Sequence, residues 1–256
     1  MAFSQVQFFS RALNVASTVN VILPEPDMGI GITAARDERL PQVLYLLHGY
    51  SDDHSIWMRR TSIERYAASH NLCVIMPAVN HSFYTNEAHG EKYWDYVSEE
   101  LPRIMHTFFR LSEAREDTFV AGLSMGGYGA MKLALTHPER FAAAGSFSGA
   151  VDMVTAHKTR EDRQGTYYNI FGDLETLKNT EHDLFYLLKK AAKAPEKPKL
   201  YVSCGTKDFL YKAHQKFVKA IEKTDFALTH AEVPDRTHEW ALWDNEIARF
   251  LELYVR

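Results

Sequence analysis

The feature that most constrains the fold of this chain is the segment 121–127, which reads Ala-Gly-Leu-Ser-Met-Gly-Gly and contains a G-x-S-x-G pattern. Residues 118–121 are β-branched, aromatic or small and predict a buried strand just before it. Small and apolar residues follow as far as Pro138 and predict a helix. A sharp turn between strand and helix holds such a serine exposed in a strained backbone, with glycines leaving room for it. Ser124 is therefore predicted to be a nucleophile, and the alternative is a serine that only caps the helix.

A nucleophilic serine needs a base that takes its proton and an acid that orients the base. In folds with this turn, both partners follow the serine on loops after later strands, in the order serine, acid, histidine. Among the 12 histidines, this order favours His238, which lies between the last predicted strand and the last predicted helix. The favoured acid is Asp208, which follows the predicted strand 199–204. The alternative acid is Asp235, which is close to His238 in the sequence.

The oxyanion that develops during acyl transfer needs two fixed N–H donors. We predict that the backbone of Met125, directly after the serine, supplies one of them. Tyr50 is predicted to supply the other, because it lies in the loop that follows the apolar strand 43–47. His48, at the start of that loop, is predicted to brace the turn rather than to take part in the chemistry.

Short apolar runs alternate with amphipathic segments along the chain. The predicted strands are residues 6–10, 17–23, 43–47, 73–76, 118–121, 142–147, 199–204 and 227–233. The predicted helices are residues 61–69, 95–111 with a kink at Pro102, 126–135, 209–223 and 240–254. This alternation predicts one α/β domain over residues 1–256, with a mostly parallel, doubly wound sheet and helices on both faces. Residues 149–196 are polar and irregular and are expected to form a small cap insertion, and residues 29–41 are expected to form a hairpin loop.

Charge and composition narrow the classes of partner. A net charge of −4 gives no reason to expect nucleic acid or an anionic membrane as a partner. The only cysteines, Cys73 and Cys204, lie in apolar runs and are expected to be buried thiols in a reducing compartment. No secretion-signal pattern and no membrane-spanning apolar run is evident. The sequence therefore predicts a cytoplasmic protein that acts on a small molecule; it leaves open whether the protein forms a homo-oligomer.

Four segments resemble those of the tributyrin esterases. These enzymes belong to a branch of the α/β-hydrolases that also holds esterase D (S-formylglutathione hydrolase) and the feruloyl esterases. The similar segments are residues 46–50, 57–61, 93–102 and 122–130, and the resemblance covers nearly the whole chain. Segment 93–102, Tyr-Trp-Asp-Tyr-Val-Ser-Glu-Glu-Leu-Pro, is the more specific motif, since many unrelated hydrolases share the serine pattern.

The resemblance implies an α/β-hydrolase fold and carboxylesterase activity on short acyl groups, without a cofactor or a metal. It places the catalytic triad on Ser124, Asp208 and His238, in agreement with the order of these residues in the chain. The alternatives are a thioesterase such as S-formylglutathione hydrolase, a feruloyl or acetyl-sugar esterase, and a non-catalytic binding protein. Esterase D carries Ser-Gly-Leu in the oxyanion loop where this chain has His48-Gly49-Tyr50, which argues against S-formylglutathione as the substrate.

Aromatic residues around the predicted site are expected to contact the substrate. Tyr84 and Trp94 belong to an aromatic segment before the Glu-Glu-Leu-Pro sequence, and the family resemblance suggests that this segment lines an acyl or alcohol pocket. Trp240, just after His238, is the third expected contact. The alternative for each ring is that it covers the edge of the sheet.

Overall fold

A computed structural model describes residues 1–25, 39–158 and 161–256 of the protein. Its strands are β1 (Ala2–Ser10), β2 (Val15–Leu23), β3 (Gln42–Leu47), β4 (Leu72–Pro77), β5 (Thr118–Leu123), β6 (Ala143–Phe147), β7 (Lys199–Gly205) and β8 (Leu228–Val233). Its helices are α1 (Ile56–Arg60), α2 (Ile63–Ala68), α3 (Tyr93–Asp95), α4 (Leu101–Phe108), α5 (Met125–Thr136), α6 (Met153–Ala156), α7 (Gln164–Phe171), α8 (Leu184–Ala191), α9 (Tyr211–Ile221) and α10 (Trp240–Tyr254). The hairpin loop predicted at 29–41 lies mostly outside the described residues.

The strands form an eight-stranded sheet in the order β1-β2-β4-β3-β5-β6-β7-β8. Strand β2 runs antiparallel to both β1 and β4, and all the pairings from β4 through β8 are parallel. In a parallel sheet the carboxyl ends of the strands meet at one edge. The loops after β3, β5, β7 and β8 therefore lie together, and these are the loops that carry the predicted site.

Helices cover both faces of the sheet, as the alternating pattern predicted. Every residue of the central strand β3 is buried, and its side chains alternate between two apolar clusters. Val43, Tyr45 and Leu47 join the cluster that includes residues of α4, α5, α8 and α9. Leu44 and Leu46 join the cluster that includes residues of α1, α2 and α10. This period of two on a strand buried on both sides is what a doubly wound sheet requires.

The helix predicted over 95–111 is interrupted rather than only kinked. A π-helical turn, Tyr96–Glu100, separates α3 from α4. Pro102 has no N–H to donate to the carbonyl of Ser98, four residues earlier. The guanidinium of Arg140 donates to that carbonyl at 2.6 Å instead. A donor from elsewhere in the chain thus satisfies the carbonyl that the proline leaves free.

The irregular segment 149–196 has two parts. Its later helix, α8, packs against α5 and α9 and belongs to the layer that covers the sheet. Its earlier part, which includes α6 and the start of α7, lies over the carboxyl edge of the strands and lines a cleft there. Among the helices in the described ranges, none combines the length and apolar character needed to cross a membrane.

Candidate active site

Ser124 lies on a strained turn between β5 and α5. Its backbone is left-handed, with φ 53° and ψ −116°, and its N–H donates to the carbonyl of Phe147 at 2.9 Å. A Cβ on Gly126 would lie 2.3 Å from the carbonyl oxygen of Leu47, and one on Gly122 would lie 2.5 Å from the backbone of Gly126. The Ser124 side chain makes no capping hydrogen bond to α5. The turn therefore presents the hydroxyl outward instead of using it as a cap.

The loops after β7 and β8 bring Asp208 and His238 together. Nδ1 of His238 lies 2.8 Å from Oδ2 of Asp208, whose side chain is 0% exposed. The N–H of Leu210 donates to the other carboxylate oxygen at 2.8 Å. The imidazole packs between the ring of Phe209, 4.6 Å away between centroids, and the edge of Trp243, at 4.8 Å. In this arrangement the Nδ1–H of His238 donates to the carboxylate, which leaves Nε2 as the acceptor for a serine proton.

The two acids considered from the sequence have different surroundings. Burial raises the pKa of Asp208, but the hydrogen bond and charge of His238 outweigh it, so the pKa lies below its ordinary value. Asp208 is therefore an anion at neutral pH, as the partner of an imidazolium must be. Asp235 is exposed, and its carboxylate pairs with Lys207 at 2.7 Å. Among the residues that the structure describes, Asp208 is thus the carboxylate partner of His238.

His48 fixes the loop after β3. Its Nε2 accepts a hydrogen bond from the N–H of Val79 at 3.1 Å, so Nδ1 carries the proton and donates to the carbonyl of Gly49 at 2.7 Å. Burial lowers the pKa of His48 to about 4, which keeps the ring neutral. The carbonyl of Gly49 and the N–H of Tyr50 belong to one planar peptide unit. By holding the carbonyl, His48 therefore orients the N–H of Tyr50.

One cleft of about 620 Å³ brings together most of the predicted catalytic and oxyanion-hole residues. Ser124, Met125, His238 and Tyr50 all line it. Met125 opens α5, and the N–H groups of the first helical turn have no acceptor within the helix. The arrangement can therefore support acyl transfer, with a nucleophile, a base and two N–H donors around one space.

The expectation that Tyr84 contacts the substrate is wrong. Its ring is fully buried, and its hydroxyl donates to the carbonyl of His48 at 2.9 Å. Gly129 makes room for the ring, because a Cβ there would lie 2.4 Å from it. Phe83 and Tyr84 both have left-handed backbones, with φ 50° and 53°, and this turn directs Phe83 to the cleft and Tyr84 into the core. Tyr84 is a second brace of the oxyanion loop.

The other two aromatic residues expected to contact substrate also lie outside the cleft lining. The ring of Trp94 stacks on His137, with centroids 5.8 Å apart, and lines a separate pocket with Lys132 and Thr136 of α5. Trp240 packs edge to face against Trp57 at 5.4 Å and against Trp243 at 5.1 Å. Both rings pack against residues of other elements of the fold instead of lining the cleft.

The cleft also contains charged groups that the sequence analysis did not identify, namely Asp52, Asp152, Arg163, Lys212 and Lys216. Burial raises the pKa of Asp52, which lies in the oxyanion loop and could have been found by its nearness to Tyr50 in the sequence. Lys212 and Lys216 are four residues apart on one face of α9, directly after Asp208. For Arg163, whose guanidinium lies 4.0 Å above the ring of Tyr50, the sequence offers no local signal.

A family model described as “Putative esterase” matches residues 10–252 of the chain. The chain belongs to this esterase family. It is 29% identical to an acetyl esterase of Caldicellulosiruptor saccharolyticus over 98% of this chain and 97% of that protein. It is 36% identical to the substrate-bound fluorophosphonate-binding serine hydrolase F of Staphylococcus aureus, with a TM-score of 0.86 and coverage of 100% and 98% of the two chains. An S-formylglutathione hydrolase from the same organism is 37% identical, with a TM-score of 0.84 and coverage of 100% and 99%.

These similarities confirm three expectations from the sequence: the esterase family, the α/β-hydrolase fold and the hydrolase activity. The protein is a serine ester hydrolase, which excludes the alternative of a non-catalytic binding protein.

Proposed function

We propose that this enzyme hydrolyses carboxylic esters with short acyl groups, using Ser124 as nucleophile, His238 as base and Asp208 as acid. The observation that carries the proposal is the 2.8 Å contact between Asp208 and Nδ1 of His238, beside the cleft that Ser124 and His238 both line. The buried carboxylate fixes the tautomer that can accept a proton at Nε2 and stabilises the imidazolium that results.

In the first step, His238 takes the proton of Ser124 as the hydroxyl oxygen attacks the ester carbonyl. The N–H groups of Tyr50 and Met125 stabilise the oxyanion of the tetrahedral intermediate. The intermediate collapses, and the alcohol leaves with the proton from His238. A water molecule, deprotonated by His238, then attacks the acyl-enzyme and releases the acid.

Two buried aromatic rings support the preference for short acyl groups. Phe83 and Tyr167 line the cleft near Tyr50, are 2% and 3% exposed, and pack edge to face at 5.7 Å. Phe171 packs behind both of them. Each buried methylene adds about 0.8 kcal/mol of binding until the chain meets this wall. We therefore expect acetyl to butyryl esters to be preferred, with kcat/KM falling beyond about six carbons.

The test compares p-nitrophenyl acetate, butyrate and decanoate with methyl ferulate, for the wild type and for Ser124→Ala. Ser124→Ala should fold normally and lose about 10⁴-fold in kcat, the remaining rate coming from the oxyanion donors. Near-wild-type hydrolysis by this variant would refute the mechanism. A preference for decanoate or ferulate over butyrate would refute the short-acyl assignment and leave the triad intact.

A thioester substrate is the second candidate, because an S-formylglutathione hydrolase is 37% identical over the full chain. The His48-Gly49-Tyr50 loop argues against this substrate, whereas the similarity to this hydrolase argues for it. The same residues would perform the reaction with a thiolate as leaving group. A kcat/KM for S-formylglutathione above that for p-nitrophenyl acetate would decide for the thioesterase.

We also propose that the enzyme is cytoplasmic, that residues 1–256 form one domain, and that part of 149–196 acts as a cap. Both cysteines, Cys73 and Cys204, are buried and unpaired, which agrees with a reducing compartment. The partner is a small-molecule ester; light scattering would measure whether the enzyme forms a homo-oligomer.

A further inference from the structure

The proposed mechanism assigns the two halves of the ester to different sides of the cleft, and the inference below rests on that mechanism. The base that takes the serine proton later donates a proton to the departing oxygen. A general acid must lie within hydrogen-bond reach of the atom that it protonates. The leaving group therefore lies on the His238 side of the cleft. The acyl group lies on the other side, towards Phe83 and Tyr167.

Phe209 stands on the leaving-group side. Its ring centroid is 4.6 Å from that of His238, yet the residue lines the cleft and is 67% exposed. Much of the side chain is therefore accessible to a substrate. Its backbone is fixed by Asp208, whose carboxylate accepts from the N–H of Leu210 at 2.8 Å and whose carbonyl accepts from Tyr211 at 3.0 Å. The residue that orients the base thus also holds an aromatic face beside it.

Two lysines of α9, Lys212 and Lys216, also line the cleft. Lys216 is neutralised by Asp152, at 2.6 Å, and its ammonium lies 5.0 Å from the ring centroid of Phe185. Lys212, one turn earlier, lines the cleft and has no ion pair within the described ranges of the chain. Asp52, the other carboxylate of the cleft, belongs to the oxyanion loop. Lys212, three residues after Phe209 in the chain, is therefore a cation of the cleft lining without a carboxylate partner among the described residues.

We propose that Phe209 and Lys212 form a leaving-group subsite, and that the preferred esters release an alcohol with a flat apolar part beside the ester oxygen and a carboxylate beyond it. Phe209 supplies a stacking surface for the flat part. Lys212 attracts the carboxylate. The acyl side keeps its own apolar wall, so the two halves of the substrate are selected by different residues.

The first experiment measures kcat/KM for 4-carboxyphenyl acetate and 4-carbamoylphenyl acetate, which share the acyl group and differ in the charge of the leaving group. The ratio of the two values is compared between wild type and Lys212→Gln, so that intrinsic leaving-group reactivity cancels. We expect the ratio to fall about threefold to fivefold, as for an exposed ion pair. Lys219→Gln, on the same helix but outside the cleft lining, is the matched control and should leave the ratio unchanged. An unchanged ratio in Lys212→Gln would overturn the role of Lys212.

The second experiment separates acylation from deacylation, because the leaving group is absent from the second step. Phe209→Ala should slow the acylation burst with aryl acetates about threefold to tenfold, the range expected for a lost aromatic contact. Phe209→Tyr should restore it. Deacylation of the acetyl-enzyme and hydrolysis of ethyl acetate should lose less than the aryl-acetate burst, because neither reaction places an aryl leaving group against the Phe209 ring. Equal losses in both steps would mean that Phe209 only supports His238, and would overturn its role in the subsite.

The outcomes for the subsite and for the proposed function are distinct. If wild type hydrolysed neither aryl acetate, or if Ser124→Ala hydrolysed both, the proposed function itself would fail. Suppose instead that wild type hydrolysed both aryl acetates and Ser124→Ala hydrolysed neither. If Lys212→Gln then left the ratio of the two kcat/KM values unchanged, and Phe209→Ala slowed acylation and deacylation equally, only the leaving-group subsite would fail.

Discussion

The two sides of the cleft are built differently. The strand-end wall, which we define as Tyr50, Ser124, Asp208 and His238 with their loops, is fixed by hydrogen bonds at the carboxyl ends of parallel strands. The cap wall, defined as the cleft-lining residues between 150 and 167, is held by aromatic packing and by ion pairs such as Asp152 with Lys216. The difference suggests that the first wall sets the chemistry and the second sets which acyl group fits.

The largest effect is expected for the acid of the strand-end wall. Asp208→Asn should lower kcat about 10⁴-fold, because the imidazole loses the carboxylate that fixes its tautomer and stabilises its charge. Asp235→Asn is the matched control and should cost less than about threefold, since surface ion pairs such as its contact with Lys207 contribute little. Steady-state kinetics with p-nitrophenyl butyrate measures both, and circular dichroism checks that both fold. The reverse ranking would transfer the role of acid to Asp235.

A smaller loss is expected when the oxyanion loop loses its brace. His48→Phe removes the donor to Gly49 and the acceptor for Val79. Loss of an oxyanion donor costs about 10²–10³ in kcat, so a misplaced donor should cost about 10- to 100-fold, with little change in KM. His48→Gln, which can still donate and accept, should recover much of the rate. A His48→Phe variant that is folded and fully active would show that the loop needs no brace.

Changes in the cap wall should alter which acyl chain is preferred rather than the rate of the chemistry. Tyr167→Ala should change kcat/KM for p-nitrophenyl butyrate less than about threefold. It should raise kcat/KM for the octanoate about tenfold, because the chain gains room for methylenes that each add about 0.8 kcal/mol. An equal loss on all chain lengths would mean that the cap wall supports the catalytic groups, and the division between the walls would fail.

Lys132 provides a site outside both walls, where stability rather than rate should change. It is 2% exposed on α5, donates to the hydroxyl of Thr85, and has no carboxylate at ion-pair distance within the described part of the chain. Burial lowers its pKa from 10.5 to about 7. Burying a charge without a carboxylate partner is unfavourable, and an apolar side chain of similar length avoids that cost. Lys132→Met should therefore raise the free energy of unfolding and leave kcat unchanged.

The gain from Lys132→Met should depend on pH in a definite direction. At pH 6 the amine is charged in both the folded and the unfolded state, so the cost of burying the charge is fully present. Between pH 7 and 10.5 the unfolded chain binds the proton and the folded protein does not, so the stability of the wild type rises with pH. Urea unfolding should show a larger gain at pH 6 than at pH 9. Lys189→Met, at an exposed position of α8, should show no such trend.

The contrast between the walls also separates what the sequence could predict from what it could not. The motif around Ser124 and the order of Asp208 and His238 identified residues that the structure brings together, because parallel topology places the ends of later strands at one edge. Neither Tyr84 nor Trp94 could be placed in this way. Whether a ring in a loop faces a cleft or the core depends on its backbone turn and on the element opposite, here Gly129 of α5.

By itself, then, the sequence determined the edge of the sheet where the proposed catalytic residues lie, since local patterns define the strands and the order of the strands defines where their loops meet. The tertiary structure alone decided the rest of the cleft. Arg163 reaches the ring of Tyr50, and Asp152 reaches Lys216, across long stretches of chain. Such contacts leave no periodicity or motif in either segment, because each side chain is selected by a neighbour that only the folded chain brings near.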